Sequence, residues 1–247
     1  MIDIHCHILP GIDDGPASLA ESLELARACV ADGITHVVAT PHVFPGRFDN
    51  VRSGIALACD AFRESLIANG IVLELSFAGE VRLSHEVLDL VAADQIPYLG
   101  VCDAYRIMLL ELPDSQIPLG SINLVRHLMG QRIRPVLVHP ERNKAAMEKP
   151  ERIAQFVDAG CYLQITAGSL LGQFGSRVSA ATDYFLEHGW VSVVASDSHN
   201  LRGRPPRMRE AFSVLQRRFG FDLARELTQL APARLCGMPV PKKPPSP

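Results

Sequence analysis

The feature that most restricts this chain is an alternation of short apolar runs with amphipathic stretches, in which a histidine or carboxylate stands at or just past the end of six of the runs. The apolar runs read as strands: one in the opening MIDIHCHILPGIDDG, then 36–40 (HVVAT), 72–78, 106–111, 134–138 (RPVLV), 161–166 (CYLQIT) and 191–195 (VSVVA). Helical periodicity fills the intervals at 16–30, 50–68, 84–91, 119–129, from Pro150 onward and 178–188, and two helices at 206–218 and 223–230 follow. Ser18 is placed to cap the first helix and Gly33 to end it. The stretch before residue 106 reads as a helical piece or a loop. Seven strand–helix units in succession require parallel strands with right-handed crossovers, in a closed barrel or a doubly wound sheet. The ionisable residues favour the barrel. His5 with His7, His42, Glu80, Glu111, His139, and Asp197 with His199 belong to six different strand ends. Those ends form one ring in a barrel, whereas an open sheet gathers its site at one switch point.

The opening strand carries the first chemical signal. Side chains two apart share a face of a strand, so Asp3, His5 and His7 are expected on one side and Ile2, Ile4 and Cys6 on the other. Two imidazoles on one rim make a metal clamp. After the Pro10-Gly11 turn, Asp13 and Asp14 return to the same end, Asp14 as a ligand and Asp13 as a helix cap or a residue orienting a ligand. The candidate ligands are then His5, His7, Asp14, His42, Glu80, Glu111, His139, Asp197 and His199. Imidazoles and carboxylates without thiolate suit manganese, iron(II), zinc or magnesium. A closed zinc site needs four ligands, so nine imply two or three ions, an arrangement suited to activating water and holding a phosphoryl oxygen. Hydrolysis of a phosphate ester follows as the natural reaction. Arg142, three after His139, and Arg204, five after His199, supply guanidinium groups able to grip a phosphoryl group bidentately.

Composition bounds the alternatives. With 247 residues, 47% of them hydrophobic, the chain supplies one globular domain, taken as 1–238, before a Pro- and Lys-rich 239–247 tail expected to be disordered. Net charge of −3 excludes a global basic field for nucleic acid or an anionic membrane. The apolar runs are too short for membrane insertion, and His5 lies too near the start for a cleavable signal to precede it, so a cytoplasmic location is expected. The six cysteines lack C-x-x-C spacing and read as reduced, mostly buried thiols. His36, His85, His127 and His188 read as surface or capping residues, and Glu141 as a partner in a salt bridge or a support behind the ligands, with a role toward substrate as the alternative. The segment 168–175 (GSLLGQFG) lacks a P-loop lysine and reads as a flexible loop beside the mouth. Phe44, Arg47 and Phe48 fit either an aromatic clasp or core, and Lys242-Lys243 a solvated terminus.

The motifs DIHCHILPGIDDG, ATPH, AGE, LLELP, VHPER and SDSHNLRGRP, in that order over roughly residues 1–235, resemble the PHP (polymerase and histidinol phosphatase) superfamily. They are most similar to its CpsB/CapC/YwqE-type branch of manganese-dependent bacterial tyrosine-protein phosphatases. The resemblance implies a distorted (β/α)7 TIM-like barrel and a manganese centre of two or three ions. It implies hydrolysis of phosphotyrosine on the tail of a bacterial tyrosine autokinase that governs capsular or exopolysaccharide synthesis. It also implies one metal on His5, His7, Glu80 and Asp197, a second on Glu80, Glu111 and His139, and a third on Asp14, His42 and His199. Asp14 and Glu111, histidines in many other superfamily members, match the tyrosine phosphatase branch. Arg142 and Arg204 would stabilise phosphoryl charge. No cysteine has an arginine six positions later, so no phosphocysteine is expected. A homo-oligomer is compatible with the sequence. Two other readings remain at this point: a small-molecule phosphatase of the histidinol-phosphate type or a phosphodiesterase on the same core, and a non-catalytic metal-bound regulator of polysaccharide assembly.

Overall fold

A computed structural model describes residues 1–240; the tail from residue 241 on, including Lys242-Lys243, lies outside the described residues. The strands are β1 Ile2–Cys6, β2 His36–Ala39, β3 His42–Val43, β4 Glu74–Phe77, β5 Glu80–Arg82, β6 Gly100–Cys102, β7 Tyr105–Glu111, β8 Ile133–Val138, β9 Tyr162–Thr166 and β10 Val193–Ala195. Parallel pairing runs β1–β2–β4 in one sheet and β3–β5–β7–β8–β9–β10 in the other. Two staves are each a pair of short strands, β2 with β3 and β4 with β5. Pro41, which has no N–H to give a ladder, interrupts the first. Gly79 interrupts the second, where a Cβ would lie 2.6 Å from Pro97 and 2.7 Å from Val43. The ring closes where the Asp197 N–H donates to the His5 carbonyl and the His7 N–H to the Ser198 carbonyl, both at 2.8 Å. Seven staves in chain order make a distorted (β/α)7 barrel.

Parallel strands covered on both faces are apolar throughout. Ile2, Ile4, Val38, Leu109, Val136 and Val193 pack in one buried cluster with Ala233 and Leu235 near the C-terminus. The opposite faces, with Val37, Met108, Leu137 and Ile165, pack against helix residues such as Leu25, Phe62 and Leu128. Each buried aliphatic side chain contributes about 1.5–3 kcal/mol. Ser18 caps the first helix, Leu19–Ala31, in a capping box with Glu21, as expected. No helix among the described residues is long and apolar enough to cross a membrane.

Two elements depart from the sequence expectation. The stretch before β7 is neither helix nor plain loop: β6 pairs antiparallel with β7 through a two-residue turn, Asp103-Ala104, with both φ angles positive at 51° and 63°. That turn shape favours Asn-Gly or Asp-Gly, and alanine in the second place hides it. The alternation along β1 also fails. The register against β2 shifts between Asp3 and Cys6, a β-bulge that places Ile4 and Cys6 in different clusters. Asp3 therefore does not join the histidines. It is fully buried and accepts from the backbone N–H and hydroxyl of Ser196, riveting β1 to the end of β10. Burial pushes its carboxyl up to about 6 against the pull of these hydrogen bonds. Replacing Asp3 with Ala leaves both Ser196 donors unpaired in the closing seam; thermal or urea unfolding is expected to show a loss of about 3 kcal/mol. An unchanged midpoint would remove the rivet from the account.

Candidate metal centre

All nine candidate ligands converge at one end of the barrel, each delivered as expected from a strand end or the turn after it. Glu80, fully buried at the start of β5, is the hub. Its Oε1 lies 2.6 Å from His139 Nε2; its Oε2 lies 3.0 Å from His42 Nδ1, 3.2 Å from His7 Nε2 and 3.3 Å from His5 Nε2. Asp197 Oδ1 faces His5 and His7 at 3.4 and 3.5 Å. Asp14, with 42% of its side chain exposed, bridges His42 and His199 from the rim at 3.3 and 3.2 Å. Glu111 Oε2 approaches His42 Nδ1 at 4.0 Å. Two of the nine occupy the left-handed backbone region rare for side-chain-bearing residues, His139 at φ 33° and Asp197 at φ 53°. Such strain persists only where surrounding contacts hold it, and here it sits just past two strand ends.

The donor set fits divalent cations. The Nε2 atoms of His5 and His7 face each other at 3.3 Å. Buried ligand atoms, among them His42 Nδ1, Glu80 Oε2, Asp197 Oδ1 and His199 Nε2, have no hydrogen-bond partner although they crowd against other ligand atoms. Four sets of ligand atoms lie within 4.8 Å of one another: His7, Asp14, His42 and His199; His5, His7 and Glu80; His5, His139 and Asp197; His42, Glu80 and Glu111. Together they use all nine residues. They keep His5, His7 and Glu80 together, and Asp14, His42 and His199, as the resemblance implies, but add His7 to the rim group, its ring 3.8 Å from that of His199, and place Glu111 with Glu80 and His42. Glu111 is meanwhile held to Arg82, 2.9 Å away, rather than turned to His139.

Electrostatics supports the same reading. Burial disfavours charge on His5 and His7, yet Glu80 and Asp197 around the first and Asp13 beside the second overcome it and raise both. His42 is carried up to about 10 by Glu80 and Asp14 despite its burial. Against their own burial, the imidazoles hold Glu80 well below the usual carboxylate range, as Arg204, His5 and Arg142 do for Asp197. Burial and the Glu80 charge push Glu111 up, and burial with His7 pushes His199 down to about 4. Without metal, protons on imidazole thus balance the carboxylates, and divalent ions would take over that positive charge.

Further residues hold the ligands. Asp13, expected to cap a helix or orient a ligand, does the second: its Oδ2 lies 2.6 Å from His7 Nδ1 and accepts from the His42 N–H. Gln164 Oε1 lies 2.9 Å from His5 Nδ1, and Phe48 stacks on the His42 ring at 5.4 Å. Gln164 and Arg82 escaped the sequence reading. Their signals were a glutamine inside the apolar CYLQIT and an arginine two after Glu80 on one strand face. Arg142 and Arg204 do come together, both donating to Asp197 Oδ2, while Asp197 Oδ1 faces the histidines. Arg204 Nε is buried without a partner. Phe44 lies under the Arg82 guanidinium, so neither phenylalanine is core.

The excluded histidines stay outside the cluster, but His36 is not a surface or capping residue. It is nearly buried within β2, bonded to Glu74 and Ser76 across the ladder. Glu141 is fully buried, and its Oε1 accepts from the Thr166 N–H. The six cysteines are free thiols, and none enters the metal-capable sets.

Comparison with known proteins shows the family of the chain. The model of the capsular polysaccharide synthesis CpsB/CapC family matches residues 1–236. The chain is 37% identical over its whole length to the tyrosine-protein phosphatase YwqE of Bacillus subtilis, covering 96% of that protein. It is 32% identical to the tyrosine-protein phosphatase CpsB of Streptococcus pneumoniae, over 92% of this chain and 94% of the relative. A crystal structure described under YwqE and CpsB as unique metal-dependent tyrosine phosphatases superposes with a TM-score of 0.89 at 36% identity, covering 100% of this chain and 99% of that one. With a family match over residues 1–236 and relatives similar over nearly their whole length, the chain belongs to the CpsB/CapC capsular polysaccharide synthesis family.

Proposed function

We propose that this chain is a metal-dependent protein-tyrosine phosphatase whose metals are held by His5, His7, Asp14, His42, Glu80, Glu111, His139, Asp197 and His199. The observation that carries the reading is the Glu80-centred cluster, with its unpartnered ligand atoms and with Asp197 accepting from two converged arginines. Divalent ions bound there supply an activated water and the positive charge that an attacked phosphoryl group requires. Mixed imidazole and carboxylate ligands suit manganese, the proposed native metal, in two or three copies, and also admit iron(II), zinc or magnesium. Asp13 and Gln164 fix the rings of His7 and His5 by engaging the nitrogens that do not face the cluster. Arg142 and Arg204 orient the phosphoryl oxygens and offset their growing charge, Arg204 through the free Nε. The leaving phenoxide, whose phenol has a pKa of about 10, ends as the protonated phenol at neutral pH and would take its proton from water.

The substrate is proposed to be the phosphotyrosine-bearing tail of a bacterial tyrosine kinase in polysaccharide synthesis. The cavity beside His139 and Arg142 is lined also by Glu111, Asp114 and Asn143, and a second cavity of about 400 Å³ opens beside His199, Asn200 and Arg202. What supports this substrate is the whole-chain similarity to tyrosine-protein phosphatases.

The test is steady-state hydrolysis of a phosphotyrosine peptide, a phosphoserine peptide and histidinol phosphate, before and after chelation. Expected is turnover of phosphotyrosine that is lost on chelation and restored by manganese. Preference for histidinol phosphate would overturn the substrate, and activity surviving complete metal removal would overturn the centre. Replacing His42 with Ala removes a ligand at the rim without opening the apolar core. It is expected to lower kcat about 100-fold or more with an unchanged circular dichroism spectrum. Full turnover in that variant at normal metal content would strike His42 from the site.

A further inference from the structure

The segment 168–175, read from sequence as a flexible loop, is instead built against itself and against both arginines. After Thr166 it forms a short helix, Ala167–Leu170, and then folds back, the Gln173 N–H donating to the Gly168 carbonyl at 2.9 Å. The fold-back is close: a Cβ at Gly168 would lie 2.7 Å from Gln173 Oε1 and 3.0 Å from Phe174 Cε2. Phe174 presents its ring to Arg142, whose Cζ lies 5.0 Å from the ring centre, within cation–π range. Gln173 reaches the other way and donates from Nε2 to the carbonyl of Gly203, the residue before Arg204. Asn200 orders the same turn, its Oδ1 accepting from the N–H groups of Arg202, Gly203 and Arg204.

We infer that Phe174 and Gln173 are positioning residues that hold Arg142 and Arg204 in register for a phosphate group. The inference rests on the proposed phosphoryl role of those arginines. Two guanidinium groups on one carboxylate oxygen repel each other, and each carries roughly 2 kcal/mol of rotamer entropy to lose. Something must fix both. An additional carboxylate could do so, but it would compete with phosphate for the same N–H donors. A ring face and a neutral amide restrain the arginines without adding negative charge, which leaves the site open to an anion. Both restraints come from one tight turn, so the arginines, 62 positions apart, are aligned by a single element.

The test measures binding of inorganic phosphate, the product common to every phosphomonoester, to the manganese-loaded full chain by calorimetry. Wild type, Phe174→Ala, Phe174→Tyr, Arg142→Ala and the Phe174→Ala/Arg142→Ala double variant are compared, with bound manganese measured for each. Phe174→Ala is expected to weaken phosphate binding about tenfold, a size typical of a cation–π contact, and Phe174→Tyr by less than about twofold. In the Arg142→Ala background the Phe174 change is expected to cost less than about twofold, because its effect passes through Arg142. Gly168→Ala, which displaces both clamp residues while removing neither, is expected to weaken phosphate binding with manganese content unchanged. Wild-type affinity in Phe174→Ala, or the same tenfold cost with and without Arg142, would overturn the inference. Coupled phosphate binding without phosphotyrosine turnover would leave the clamp standing and sink the substrate, whereas turnover with uncoupled variants would do the reverse.

Discussion

The structure depends on one buried carboxylate. Glu80 is shielded from water, and an isolated ion there would be prohibitively costly, so positive charge must reach it from all sides. It does: four imidazoles lie within 2.6–3.3 Å of its two oxygens. They come from the ends of β1, β3 and β8. A buried anion ringed by imidazoles is stable with protons or with divalent ions. The second arrangement also satisfies the ligand atoms that the first leaves without hydrogen bonds. Closure of the barrel thus brings the candidate ligands together. The seam between β1 and β10 brings the histidines of one to the aspartate that follows the other.

Precision comes from residues that support the ligands. Asp13, Gln164 and Arg82 each engage one side of a ligand and thereby set which atom faces the cluster. Gly79 lets a strand break so that Glu80 can begin a new one beside His42. The two arginines are held in a similar way, with the neutral Phe174 ring against Arg142 and the neutral Gln173 amide against the carbonyl before Arg204. These supports lie on elements distant in sequence.

Much of this was legible in the sequence because strand ends impose their own geometry. A histidine or carboxylate just past an apolar run of a β/α barrel has one place to go, and all nine residues so placed went there. The bulge in β1 was not legible: period-two alternation grouped Asp3 with His5 and His7, but one extra residue against β2 turned Asp3 to Ser196. The β6–β7 hairpin was hidden by Asp103-Ala104, a pair without the glycine that usually marks such a turn. Gln164 and Arg82 carried no spacing rule, since a polar residue inside a strand becomes informative only when the face it shares is known. His36 opens the 36–40 run but reads as a surface or capping residue, and it proved to be nearly buried and bonded across the ladder. The segment 168–175 read as flexible from its glycines, yet Gly168 serves close packing rather than freedom.

The most direct test of the central claim is an anomalous diffraction map at the manganese edge from crystals grown with the metal. The account predicts two or three peaks inside the ring of nine ligands, at least one within about 2.5 Å of Glu80. Strong peaks elsewhere with none at Glu80, in protein that remains active, would contradict it.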